Sequence, residues 1–114
     1  MSIKTERLGN MLHREISQIL MSEVKDEDLK FVTITKVDLS SDLSYAKVYF
    51  TSLDISKKDK IIKDINNARK FIRSELIKRK LDMRIIPELT FIYDDSIEYG
   101  NKIESIIEKI HEEK

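Results

Sequence analysis

Residues 56–84 read SKKDKIIKDINNARKFIRSELIKRKLDMR, and the fold turns on how this run is divided. Ile61, Ile65, Ala68, Ile72 and Leu76 recur at intervals of four, three, four and four, which is the apolar stripe of a helix lying on a core. Ser56 with Asp59 three residues on has the spacing of a capping box and is expected to open the first helix. The pattern predicts two helices joined at Asn66-Asn67-Ala68. Lys63, Asn66, Arg69, Lys70, Arg73 and Lys80 are expected to gather on the opposite, polar side. Between Lys57 and Arg84 there are 11 Lys and Arg against 4 Asp and Glu.

This local excess sits in a chain of zero formal net charge. Residues 1–56 carry 7 basic and 9 acidic side chains, and residues 85–114 carry 3 and 8, so the basic run is flanked by acidic ones. Such a dipolar surface steers an anionic partner toward one face. With 114 residues, 40% of them apolar and 37% charged, the chain is of single-domain size and globular rather than disordered. No run approaches the roughly 20 apolar residues of a membrane span. Lys4, Glu6 and Arg7 interrupt any leader-like stretch, so no signal peptide is expected. There is no cysteine, which removes disulfides, thiolate metal sites and a cysteine nucleophile together, and is compatible with a cytoplasmic setting.

Outward from the central run, residues 5–23 predict a first helix with Leu8, Leu12, Ile16, Ile19 and Leu20 as its apolar stripe and Gly9 as a weak point. Lys25-Asp26-Glu27-Asp28 is expected to be a polar loop. Residues 31–39 and 43–51 are rich in β-branched side chains and predict two strands, turned at Ser40-Ser41-Asp42 into an antiparallel hairpin. Ala46, Val48 and Phe50 should share the covered face, with Tyr45, Lys47 and Tyr49 on the other. Residues 83–93 predict a third strand containing Pro87, at an edge position or a local break in pairing. Asp94-Asp95-Ser96 should end it and cap a last helix, Asp95 and Glu98 forming the box and Ile103, Ile106, Ile107 and Ile110 the apolar face. The order is α-β-β-α-α-β-α. Three strands with helices on one face make an α+β two-layer domain, and the paired helices are long enough for a parallel crossover.

The residues offer little for catalysis. His13 and His111 belong to no metal spacing, Gly9 and Gly100 make no phosphate loop, and a helix cap accounts for Asp94 and Asp95. Nucleic-acid binding has positive support. Arg69, Lys70, Arg73, Lys78, Arg79, Lys80 and Arg84 supply phosphate-contacting charge, with Lys63 and Lys47 as lesser candidates. Asn66 and Asn67 add amides at the break. Tyr45 and Tyr49 are candidates for stacking on bases, whereas Phe71 is expected at the core or its boundary. A protein-interaction module whose basic helix pair meets an acidic partner is the alternative.

Three runs carry a family resemblance: DLSYAKVY at 42–49, NARKFIRSEL at 67–76 and MRIIPELTFIYD at 83–94. Together with Arg7, Glu15-Ile16, Ile19-Leu20 and Val24-Lys25-Asp26, they resemble the ribosome-binding factor A family over residues 2–110. The resemblance implies a single type II K-homology-like RNA-binding domain, with residues 111–114 a short frayed tail. In that fold the Gly-x-x-Gly loop is replaced by a helix–kink–helix centred on an alanine, here Ala68. Members commonly read Ala-x-Gly at the kink, whereas this chain has Lys70 in the glycine position. The kink is therefore expected to be shallower, or one residue earlier at the asparagines. Glu27-Asp28 stands where many members carry Pro and Arg. The resemblance further implies a non-enzymatic, monomeric assembly factor without cofactor. It would bind the immature small ribosomal subunit and its rRNA precursor near the 5′-terminal helix, alongside other assembly factors, with a role in cold adaptation.

Overall fold

The computed structural model describes residues 3–96. Helix α1 (Ile3–Ser22) is followed by a 3-10 helix at Glu27–Phe31, strands β1 (Val32–Leu39) and β2 (Tyr45–Ser52), and a 3-10 helix at Ile55–Lys57. Helices α2 (Lys58–Asn67) and α3 (Arg69–Lys78) and strand β3 (Glu88–Tyr93) complete the order. The sheet order is β1-β2-β3, with β1 antiparallel and β3 parallel to the central β2. The expected α+β architecture is therefore present, including the parallel crossover. The expected last helix lies outside the described residues.

Alternation along β2 divides the two faces of the sheet. Ala46, Val48 and Phe50 are buried with Leu89 and Phe91 of β3. Leu12, Ile16 and Ile19 of α1, Ile61 and Ile65 of α2, and Ile72 and Leu76 of α3 join the same core. Full burial of such side chains stabilises a fold by about 1.5–3 kcal/mol each. Phe50 meets Phe91 and Tyr93 edge-on, with ring centroids 6.3 and 5.6 Å apart. Tyr45 and Lys47 are exposed on the other face, as the alternation predicts. Gly9 has a packing reason: a Cβ there would lie 3.2 Å from the Val37 carbonyl oxygen, so α1 sits close against β1.

Several boundaries differ from expectation, each for a local reason. Asp26 caps the first 3-10 helix by accepting from the Asp28 N–H at 3.0 Å, so part of the expected loop is helical. Phe31 ends that helix and is exposed instead of opening β1. Leu43 has φ 65°, which keeps it and Ser44 in the hairpin turn, and the ladder shifts register between Ile34 and Lys36. Ser56 opens no helix. Its N–H donates to the Asp54 carboxylate at 3.1 Å, Asp54 caps a 3-10 turn, and α2 begins only at Lys58. The third strand is shorter than residues 83–93. Pro87, without an N–H, precedes Glu88, whose N–H makes the first bond to β2, at 2.9 Å to the Ser44 carbonyl. At the other end Asp94, rather than Asp95, accepts from the Ser96 N–H at 3.0 Å. Its second oxygen accepts from the Thr35 hydroxyl at 2.8 Å, tying the end of β3 to β1.

The hairpin turn is organised by Asp42, whose Oδ1 accepts from the Ser44 hydroxyl at 2.7 Å, the Ser40 hydroxyl at 2.8 Å and the Ser44 N–H at 3.1 Å. The Ser44 hydroxyl first, then that of Ser40, hold this carboxyl at about 2 against an ordinary 3.8. A depressed carboxyl pKa stabilises the fold above the unfolded value and loses that contribution as pH falls through the folded value. Asp42→Asn is expected to flatten the loss of stability between about pH 4 and pH 2. Urea midpoints across that window check this, and parallel profiles for variant and wild type would refute it.

Candidate nucleic-acid interface

The helix pair bends at one residue. Ala68 has φ −83° and ψ −5°, whereas an α-helix keeps ψ near −42°. Its N–H still donates to Asp64 at 3.0 Å, and its carbonyl accepts from Ile72 at 2.9 Å, so the two helices stay coupled through the bend. Ala68 is half-buried against the core, and Asn66 and Asn67 are exposed. The Asn66 side-chain amide donates back to the Ile62 carbonyl at 2.8 Å, which occupies it within α2. The bend is therefore at Ala68, not at the asparagines. Among the described residues only Leu43 and Lys80 are non-glycine positions with positive φ, so Lys70 stands in ordinary backbone and needs no glycine.

The basic side chains do not form one face. Lys63, Arg69 and Lys70 are exposed around the bend. Lys80 and Arg84 are exposed beyond the end of α3, Lys80 roughly 16 Å from Arg69 by helical rise. There they border a groove of about 320 Å³ with Arg73, Ile77, Met83 and Ile85. Lys80 holds φ 51° just past the helix end, a place usually taken by glycine. Lys47 lies on the uncovered face of the sheet, opposite Asp38 and Thr90 in the register, and is remote from the helix pair.

Two of the expected phosphate ligands are engaged within the fold. The half-buried Arg73 guanidinium donates to the carbonyls of Ile86 at 2.8 Å and Pro87 at 3.1 Å, pinning the segment that carries Arg84 and Ile85. Arg79 donates to the Glu15 carboxylate at 2.6 Å and to the Gln18 side-chain oxygen at 3.0 Å, joining the end of α3 to α1. Lys78 pairs with Glu75 at 3.2 Å. Lys63, Arg69, Lys70, Lys80 and Arg84 form no ion pair among the described residues.

Phe71, expected near the core, is 42% exposed. It falls one residue before Ile72 of the buried stripe, about 100° round the helix, and so sits between Lys70 and the apolar face. Exposed Ile77 and Ile85 beside Lys80 and Arg84 were not predicted from the sequence. The signal available was Ile77 adjoining the stripe residue Leu76. The uncovered sheet face holds Tyr45 and half-buried Tyr49, the latter with the Lys36 ammonium 6.0 Å from its ring centre.

Asp26, Asp28 and Asp64 bring carboxylate oxygens within 4.8 Å of one another. Lys60 donates to Asp28 and Asp64 at 2.7 Å each, and Lys57 to Asp28 at 3.1 Å. The ammonium groups supply the positive charge that such a cluster requires. Lys60, then Lys57, pull the Asp28 carboxyl below its usual range. Desolvation, then a hydrogen bond with Asp64, raise that of Asp26.

The strand order, the parallel crossover and the helix–kink–helix within it define a type II K-homology-like domain. The chain belongs to the ribosome-binding factor A family, whose model, described as "Ribosome-binding factor A", matches residues 4–107. It is 50% identical over 111 residues to the Staphylococcus epidermidis ribosome-binding factor A, covering 96% of this chain and 95% of that one. It is 43% identical over 115 residues to the protein of that name from Macrococcus caseolyticus, covering all of both. The Thermotoga maritima solution structure, described as a putative ribosome binding factor A, matches with TM-score 0.69 at 26% identity over 84% of this chain and 92% of that one. A Thermus thermophilus ribosome binding factor A, fitted into a cryo-EM map of a complex with 30S, shares the fold. Its TM-score is 0.61 at 23% identity, over 76% of this chain and 91% of that one.

The fork from Arg73 is geometric, so charge alone does not replace it. Arg73→Lys is expected to cost about 1–3 kcal/mol, because one or both carbonyls lose a charge-assisted partner. Urea denaturation measures the loss, and amide exchange at Glu88 should quicken in parallel. Wild-type stability in this variant would show that the bracket does not hold the segment.

Proposed function

We propose that this chain is a non-enzymatic assembly factor that binds the immature small ribosomal subunit and assists late maturation of 16S rRNA near its 5′-terminal helix, with a role in the cold. Family membership supports the reading, as does the Thermus relative placed in a 30S complex. The observation that carries it is the set of cations Lys63, Arg69, Lys70, Lys80 and Arg84, without an ion pair among the described residues, on and just beyond the helix pair. Residues 2–110 would act as a single cytoplasmic, monomeric RNA-binding domain. Arg73 and Arg79 serve mainly as brackets, Lys78 and Lys47 are peripheral, and Ala68 sets the angle between the cation groups.

The mechanism needs no reacting group. A factor that binds one RNA conformer more tightly than another shifts their populations by its differential affinity. Phosphate contacts fix its register on folded RNA without reading bases. Slow escape of misfolded RNA at low temperature would make such a bias most useful in the cold. Phe71, Ile77 and Ile85 add apolar surface beside the cations for sugar or base contact.

Five phosphate contacts would give affinity falling with salt at a log–log slope of roughly −4. Co-sedimentation with immature small subunits should show this dependence, with weaker association to mature 70S ribosomes. Arg69→Glu with Lys70→Glu is expected to weaken binding about tenfold or more while leaving the fold intact. Salt-indifferent binding, or wild-type affinity in the double variant, would overturn the assignment. Lys80→Gly separates charge from conformation. It is expected to raise stability by about 1 kcal/mol by relieving the left-handed backbone, while lowering the salt slope by nearly one.

A further inference from the structure

An apolar surface lies at the end of β2 away from Arg84. Phe31, Leu53 and Ile55 are 55%, 80% and 58% exposed there. Val32 pairs with Ser52, so Phe31 and Leu53 flank the last rung of the β1–β2 ladder, and Ile55 begins the 3-10 helix just beyond. Charge selects no occupant for this surface, because lysines match the carboxylates around it. Lys30 pairs with Glu27, and Lys57 and Lys60 pair with Asp28. Apolar area and reach must decide what fits.

The chain itself supplies a segment with both. Strand β3 runs parallel to β2 and so finishes at this end of the sheet, with Tyr93 beside Phe50. The Asp94 N–H donates to the Phe50 carbonyl at 2.7 Å. The Asp94 carboxylate accepts from the Thr35 hydroxyl at 2.8 Å and from the Ser96 N–H at 3.0 Å, which fixes where the chain leaves the sheet. Leu53 is three residues on from Phe50, about 10 Å by strand rise.

Residues 97–114 follow, and their sequence places Ile103, Ile106, Ile107 and Ile110 at intervals of three, one and three. That is the spacing of an amphipathic helix. On such a helix Ile103 falls about 10 Å from Ser96, the same reach as from Phe50 to Leu53. A helix of this length is marginal alone and needs a surface on which to bury its stripe. Its tether is short, so its effective concentration at the surface exceeds that of a free partner of equal affinity.

We propose that residues 97–114 form a helix that folds back within the same chain, covering Phe31, Leu53 and Ile55 with Ile103, Ile106 and Ile107. The proposal is independent of the RNA reading. The segment carries 5 Glu against 3 Lys. Docked here, that charge is held at the far end of β2 from Arg84, which lies beside Ser44, about 25 Å away by strand rise.

The test is NMR on the full chain with isotope-labelled Ile, Leu and Phe side chains. Nuclear Overhauser contacts are expected from Ile103, Ile106 and Ile107 to Phe31, Leu53 and Ile55. In a mixture of labelled and unlabelled chains, these contacts should stay within one molecule. Phe31→Ser with Leu53→Ser should speed amide exchange at residues 104–110 about tenfold or more, whereas Ile103→Leu with Ile107→Leu should leave it near wild type. Amide dispersion confirms that the variants are folded, and the wild-type contacts need no variant. Absence of contacts to the trio would overturn the proposal. So would contacts between molecules only, contacts to Lys80 and Arg84 instead, or unchanged exchange in the serine variant.

Discussion

The parallel pairing of β3 with β2 constrains the rest of the molecule. A chain that leaves β2 at Ser52 must return to Glu88, beside Ser44 at the far end of the sheet, before β3 can form. The return spans the length of β2, about 25 Å, which a tight turn cannot cover. Helices α2 and α3 make it, and Ile61, Ile65, Ile72 and Leu76 seal them onto the covered face. The candidate interface is thus the outer side of an obligatory crossover. It is held by the same burial that holds the fold, and so needs no loop to become ordered before it can present its cations.

Ion pairing then sorts a charge excess that is only nominal in composition. Asp28 of the first 3-10 helix and Asp64 of α2 take Lys57 and Lys60, Glu15 of α1 takes Arg79, and Glu75 takes Lys78. The cations of this run left without an ion pair among the described residues are spread along the bend and beyond the end of α3. Arg73 is of a different kind: its charge supports two backbone carbonyls that would otherwise terminate α3–β3 packing without donors. An arginine is suited to that task because its planar fork reaches two acceptors at once.

The elements that periodicity governs were legible in the sequence. Alternation in β2 and the stripe of residues 61–76 reflect burial, and burial is what the backbone obeys. Boundaries were less legible, because short-range competition decides them. Asp54 captures the Ser56 N–H before a capping box can form, and Asp26 turns an apparent loop into a helical turn. Pro87 was recognised as a break, but its consequence, a strand beginning only at Glu88, depends on where Ser44 lies in space. The candidate site was half legible. The types and number of cations stand in the sequence, but which of them are neutralised depends on contacts such as Arg79 with Glu15, 64 residues apart.

The bend between α2 and α3 does not depend on a glycine at position 70. A glycine is favoured where φ must be positive, and neither Ala68 nor Lys70 is in that state. Ala68 departs from the helix through ψ alone, into a region near −83°, −5° that any L-residue reaches at modest cost. What position 68 demands is small size, since its side chain packs against the core beneath the bend. Position 70 then lies in the first turn of α3 with its side chain outward, free to carry charge. Lysine there gives up backbone freedom that this bend does not use and adds an exposed cation one residue from Arg69. Under the proposed RNA-binding reading, Lys70 therefore adds charge without cost to the bend.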